Sequence, residues 1–115
     1  MSQYEPRHAL YEFGPFTEDA DIATEAHRAY SEAVIQGFTE DLQMIACKSP
    51  FSACVFASNI DGANITYCQE AACKDPKEAY WFAQEVKSAD IEYCKKHMGE
   101  YLEQYLRHEM RDALR

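Results

Sequence analysis

The chain has 115 residues, enough for one domain with a modest core, and 47% hydrophobic residues with eight Tyr and six Phe is a folding composition, not a disordered one. Its 20 acidic against 11 basic residues leave a net charge of −9. That field disfavours nucleic acid and anionic membrane as direct partners, because phosphate is held by clusters of Lys and Arg, and it favours a basic protein surface.

The opening stretch, Met1 to His8, is polar, and no apolar run approaches the roughly 18 residues a membrane helix needs. A cytoplasmic protein with reduced cysteines is therefore expected. Residues 1–16 hold two Pro, one Gly and the aromatics Tyr4, Tyr11, Phe13 and Phe16; they read as an irregular arm ahead of a single domain over 17–115. Thr17 is the expected cap of a first helix, with Glu18, Asp19 and Asp21 at its positive end. Ile22, Ala23, Ala26, Ala29, Tyr30, Ala33 and Val34 then recur at helical spacing. Gly37 ends that helix and Thr39 caps a short second one over Glu40–Cys47.

From residue 46 the chain repeats itself. Ala46-Cys47-Lys48-Ser49-Pro50 returns as Ala72-Cys73-Lys74-Asp75-Pro76, and 11 of the 23 positions in 46–68 are identical in 72–94 at a constant offset of 26. Asp75-Pro76-Lys77-Glu78 carries a cap, a proline at the first helical position and an acid two residues on. Ser49-Pro50 is the weaker version. Each copy then places a stripe inward: Ala53, Phe56, Ala57 and Ile60 in one, and Ala79, Phe82, Ala83 and Val86 in the other. After a short turn, a second helix is expected from Ala63 or Ala89, with Ile65 and Cys68, or Ile91 and Cys94, facing in. A worn earlier copy spans 20–45, where Tyr30 aligns with Phe56, Val34 with Ile60, Leu42 with Cys68 and Gln43 with Gln69. From Asp90 to Ala113 no proline intervenes, and a long terminal helix is expected to close the array. Fixed-period self-similarity of this kind signals stacked helical hairpins. The expected fold is all-α: a compact array of about six helices built from helix-turn-helix copies over 20–45, 46–71 and 72–97.

Little in the chain resembles catalytic machinery. No Gly-rich phosphate loop, nucleophile elbow or HExxH motif is present. The five cysteines lack CxxC spacing and read as small apolar core residues, and the repeat equivalents Cys47/Cys73 and Cys68/Cys94 would be too far apart in stacked helices for a disulfide. His8, His27, His97 and His108 read as surface or half-buried side chains. Cys94 with His97 is the one pair with metal-ligand spacing, but it has no second pair, so neither a metal nor another cofactor is expected. The remaining signal is aromatic and acidic. Tyr80 and Trp81 replace Cys54 and Val55 between the copies, Glu78 replaces Ser52, and Tyr67 and Tyr93 are equivalents. Tyr80, Trp81, Glu78, Glu85, Asp90, Tyr67 and Tyr93 are thus the candidate binding residues, since aromatics are enriched at interface hot spots.

Asp75-Pro76-Lys77-Glu78-Ala79-Tyr80-Trp81-Phe82-Ala83 resembles the D-P-x-x-A-Y-x-[FY]-A segment of tandem helical-repeat proteins in bacteriophages and some bacteria, and Ser49 to Ala57 is a looser copy. The resemblance covers 46–94 and implies hairpins stacked side by side and a phage or mobile-element origin. With the charge, it leads to the expectation of a non-catalytic interaction protein, most concretely a phage-type inhibitor of a nucleic-acid-handling host complex, such as an anti-CRISPR or antirestriction protein. The alternatives are a self-associating repeat protein and a small metalloprotein using Cys94 and His97.

Overall fold

Helix starts follow side-chain capping chemistry along most of the chain. The computed structural model describes residues 20–113, so the N-terminal arm and the Thr17 cap lie outside the described residues. Seven α-helices and one 3-10 turn occur among them, with no strand. Helix α1 (Ala20–Gln36) stops where Gly37 turns to φ 100°, a conformation that costs glycine little. Helix α2 (Glu40–Ala46) is capped by Thr39, whose Oγ1 accepts from the Leu42 N–H at 3.1 Å. Helix α3 (Pro50–Asn59) follows Ser49 and α5 (Pro76–Glu85) follows Asp75, each with proline at the position where its missing N–H is harmless. Helices α4 (Ile65–Ala72) and α6 (Ile91–His97) begin two residues later than Ala63 and Ala89, because Asn64 and Asp90 are the caps: their Oδ1 atoms accept from Tyr67 N and Tyr93 N, both at 3.1 Å.

The expected terminal helix is present but does not run unbroken from Asp90. Met98 caps α6, Gly99 adopts φ 54°, and Gly99–Tyr101 form a 3-10 turn before α7 (Leu102–Ala113) resumes. Gly99 lies against the Pro76 ring, which a Cβ there would meet at 3.6 Å. The helix bounds echo the sequence period, since α3, α5 and α7 start at 50, 76 and 102 and α4 and α6 at 65 and 91.

Helix α3 packs between α1 and α5; α2 rests on α1 and α3, α4 on α3 and α5, and α6 on α5. The expected stripes form the core: Ala53, Phe56, Ala79 and Phe82 are fully buried, joined by Ile60 and Val86. Fully burying a Phe side chain stabilises a fold by about 1.5–3 kcal/mol. Helix α1 approaches through Ala23, Ala26, Ala29, Ala33 and Tyr30, but Ile22 and Val34 of its expected stripe are exposed. The reason is local. Ile60 and Val86 are extended C-cap residues at which the chain leaves its helix, whereas α1 continues to Gln36 and keeps Val34 helical and outside. Phe38 closes the turn side, edge-on to Phe56 at 6.3 Å and against Gly62. The radius of gyration is 13.8 Å, close to the ~13 Å of a compact chain of this length, so the copies do not extend into an open solenoid. No helix among the described residues is long and apolar enough to cross a membrane.

Candidate functional site

The candidate binding residues divide between core and surface. Glu78 is 2% exposed and engaged within the fold; it occupies the same buried position as Ser52 and Ala26 in the other copies. Tyr80 is 7% exposed. Its ring meets Tyr101 at 5.8 Å and Tyr105 edge-on at 6.3 Å, and its hydroxyl accepts from Gln104 Nε2 at 3.2 Å. The change from Cys54 to Tyr80 therefore serves to dock the terminal helix. Trp81 is half-buried and stands edge-on to Tyr80 at 5.4 Å. Glu85 is half-buried, and its Oε1 accepts from the Cys54 thiol at 3.8 Å. Asp90 is exposed, but its carboxylate is committed to capping α6. Glu78 and Tyr80, expected from the differences between copies to be surface chemistry, are thus found buried, each engaged within the fold.

Tyr67 and Tyr93 remain as solvent-facing aromatics. They hold the same place in α4 and α6, fixed by the same cap bond, with Tyr67 41% exposed and Tyr93 half-buried. Desolvation, then the neighbouring Cys73 and then the Glu70 carboxylate, raises the Tyr93 phenol above its ordinary value, which places an exposed acid near that ring. A groove of about 420 Å³ runs between α2 and the start of α4, lined by Phe38, Glu40, Gln43, Met44, Gly62, Asn64 and Tyr67. Met44 is more than half exposed, so the groove combines apolar floor, aromatic wall and carboxylate rim.

Sequence reasoning missed two buried polar clusters of one design. Gln43 Oε1 accepts from the Asn64 N–H at 2.7 Å and from the Cys68 thiol at 3.8 Å, and the Cys47 thiol donates to Cys68 Sγ at 3.5 Å. The same set recurs at Gln69, where Oε1 takes the Asp90 N–H at 2.7 Å and the Cys94 thiol at 3.8 Å, with Cys73 donating to Cys94 Sγ at 3.9 Å. Helices α2, α4 and α6 form a second layer against α1, α3 and α5, in which Gln43 ties α2 to the capped start of α4 and Gln69 ties α4 to that of α6. The paired thiols sit within one copy, 21 residues apart, rather than at equivalent positions. The contact with Cys47, then burial, pushes the Cys68 thiol up; the contact with Cys73, then burial, does the same to Cys94. The repetition of Gln43 at Gln69 beside the repeated cysteines was the available signal.

His27 lies 5.7 Å from the Tyr30 ring and 6.4 Å from Phe51. His97 is exposed and rests on Tyr93 at 4.6 Å, while Cys94 turns to Gln69 and Cys73. Among the described residues no group of three or more His, Cys, Asp or Glu could hold a metal ion. The described residues form a small all-α domain whose interior holds two thiol–amide clusters. Comparison with protein-family models, curated proteins and solved structures gives no match.

Proposed function

We propose that the protein is a non-catalytic interaction module that presents the outer face of α2, α4 and α6 to a basic protein surface, in its most specific form as a phage-type inhibitor that fills the nucleic-acid groove of a host defence complex, such as a CRISPR effector or a restriction enzyme. The observation that carries this reading is the recurrence of Tyr67 and Tyr93 on α4 and α6, with the Met44 groove beside Tyr67 and the Glu70 carboxylate near Tyr93. Aromatics supply contact area at low entropy cost, and exposed carboxylates steer a cationic partner. With Glu78 and Tyr80 buried, the exposed acids and rings on α2, α4 and α6 that would act are Glu40, Asp41, Glu70, Glu92, Tyr67 and the half-buried Tyr93.

The test is protection of DNA from cleavage by a panel of RNA-guided nucleases and restriction endonucleases. Protection is expected to weaken as salt rises, and Glu70→Lys with Glu92→Lys is expected to weaken it at low salt while leaving the helical circular dichroism intact. A panel with no inhibited nuclease, or charge reversals without effect across the titration, refutes the reading. Self-association is the second reading, favoured by exposed apolar residues at two ends of the chain fold: Val34 and Ile35 on α1, 57% and 86% exposed, and Met110 on α7, 63% exposed. Sedimentation that varies with concentration, and is abolished by Ile35→Glu, would select it.

A further inference from the structure

The two thiol pairs do more than fill space. Cysteines that only pack have no need to sit sulfur to sulfur, yet Cys47 and Cys68 lie 3.5 Å apart and Cys73 and Cys94 lie 3.9 Å apart. Both pairs have the same donor order and the same glutamine acceptor behind them. Cys54, the fifth cysteine, donates to Glu85 Oε1 at 3.8 Å. All five are free thiols.

We infer that the copies over 46–71 and 72–97 each carry a dithiol modification site, and that a small disulfide oxidant of the glutathione class closes Cys47–Cys68 first and Cys73–Cys94 second into intramolecular disulfides. The side chains need only a small movement to reach the ~2.05 Å bond, because the sulfurs are already in contact. Cys47 is the entry point: it is the half-exposed C-cap residue of α2, while Cys68, Cys73 and Cys94 are buried. Cys47 loses its proton to water and its thiolate attacks one sulfur of the oxidised glutathione. The glutathione S–S bond breaks, a Cys47–glutathione mixed disulfide forms, and one glutathione thiolate leaves and is protonated. Cys68 then loses its proton and attacks the Cys47 sulfur, which forms the protein disulfide and expels the second glutathione. Two protein thiols are oxidised and one glutathione disulfide is reduced to two glutathione thiols. Cys73 and Cys94 follow the same steps only after local opening admits the oxidant.

The closed bonds would join the C-cap of α2 to α4, and that of α4 to α6. They would staple the layer that also carries Tyr67 and Tyr93, but the inference does not depend on any partner for that face.

The experiment treats the folded, fully reduced protein with oxidised glutathione and follows thiol titration, intact mass and non-reducing peptide maps. The expected result is loss of two thiols and about 2 Da, then of two more thiols and about 2 Da, with Cys47–Cys68 closing at least about tenfold sooner. Cys54 stays reduced throughout. Cys47→Ser should abolish the early phase and leave the late one, and Cys54→Ser should behave as the parent chain. Helical circular dichroism on each variant confirms that the fold is kept. A persistent glutathione adduct on Cys47, a disulfide containing Cys54, or a thiol count unchanged in the folded protein overturns the inference.

Discussion

Replacing Gln69 with Leu tests whether the second layer is held by buried amides or only by apolar packing. The Gln69 side chain is 5% exposed, and its Oε1 accepts the Asp90 N–H at 2.7 Å and the Cys94 thiol at 3.8 Å. Leu keeps most of the volume, so the cavity contribution is small. What remains is an N–H at the head of α6 that has lost its acceptor. A buried donor left unpaired costs about 1–3 kcal/mol. Asp90 itself is exposed, so water recovers part of that, and the expected loss is about 1–2 kcal/mol, with the weak thiol contact adding little. In a domain of this size that lowers Tm by roughly 4–8 °C. Gln43→Leu should cost the same, since Asn64 N–H approaches Gln43 at the same 2.7 Å. Cys68 of the first cluster and Gln69 of the second are neighbours on α4, so the double variant reads their coupling as a departure from the sum. Urea unfolding followed by circular dichroism gives the answer, provided the m value is unchanged. If both single variants lose less than about 0.5 kcal/mol, the amide ties are incidental and apolar packing alone holds the layer.

Two further outcomes follow from the geometry. Tyr80→Phe removes the acceptor for Gln104 Nε2 and should cost about 0.5–1.5 kcal/mol, whereas Tyr80→Ala also removes the ring packing against Tyr101 and Tyr105 and should cost about 3–5 kcal/mol. Amide hydrogen exchange should then speed up in α7 before it does in α3 or α5, and unchanged exchange in α7 would show that Tyr80 does not dock it. Stability should also fall in alkali. Cys68 and Cys94 (contact with Cys47 and Cys73, then burial) and Tyr105 (burial, then the Glu109 carboxylate) all have their pKa raised by the fold. Each therefore binds its proton more tightly folded than unfolded, the unfolded chain sheds protons first, and stability present below the unfolded pKa is lost as pH rises. The decline should begin near the free-thiol value of about 8.5 and steepen past about 10. A urea midpoint that stays flat from neutral to strongly alkaline pH would contradict this.

Much of the scaffold was written locally and could be read from the sequence. Ser49-Pro50 and Asp75-Pro76 start helices because cap and proline act within one turn, and the Phe56 and Phe82 stripes need only helical spacing to be recognised. The features that escaped were those whose partner lies far along the chain. Gln69 reads as an ordinary surface amide until its acceptor oxygen is found on a backbone N–H 21 residues away. Cys47 finds Cys68 and not its own equivalent because the C-cap of α2 meets the middle of α4, sulfur to sulfur at 3.5 Å. Tyr80 looked like a surface aromatic because the helix that buries it re-enters only after the Gly99 turn, which the sequence had suggested was continuous. Glu78 reads as an exposed first-turn acid by spacing alone, yet its position is the deeply buried one held by Ser52 and Ala26.

The C-terminal helices follow the same positional logic. Lys95 stands 26 residues after Gln69, at the place where a third glutamine would reach for the next helix start. It reaches Glu92 and Glu109 instead, each at 3.5 Å. Helix α7 begins at 102, in step with α3 and α5, and so occupies the position of a further first helix. Its stripe, however, has been rewritten. Tyr105 keeps the place of Ala79 and is buried, but His108 replaces Phe82 and is exposed. A phenylalanine there would have added to the apolar surface that Leu106 and Met110 already leave exposed on α7; a histidine at that place does not. The helix is instead fastened back on α5 through Tyr80 and tied to α6 by the Lys95–Glu109 pair. The C-terminal helices thus differ from the earlier copies by two substitutions of kind: the amide that ties one helix to the next becomes a cation, and the core phenylalanine becomes a residue that tolerates water.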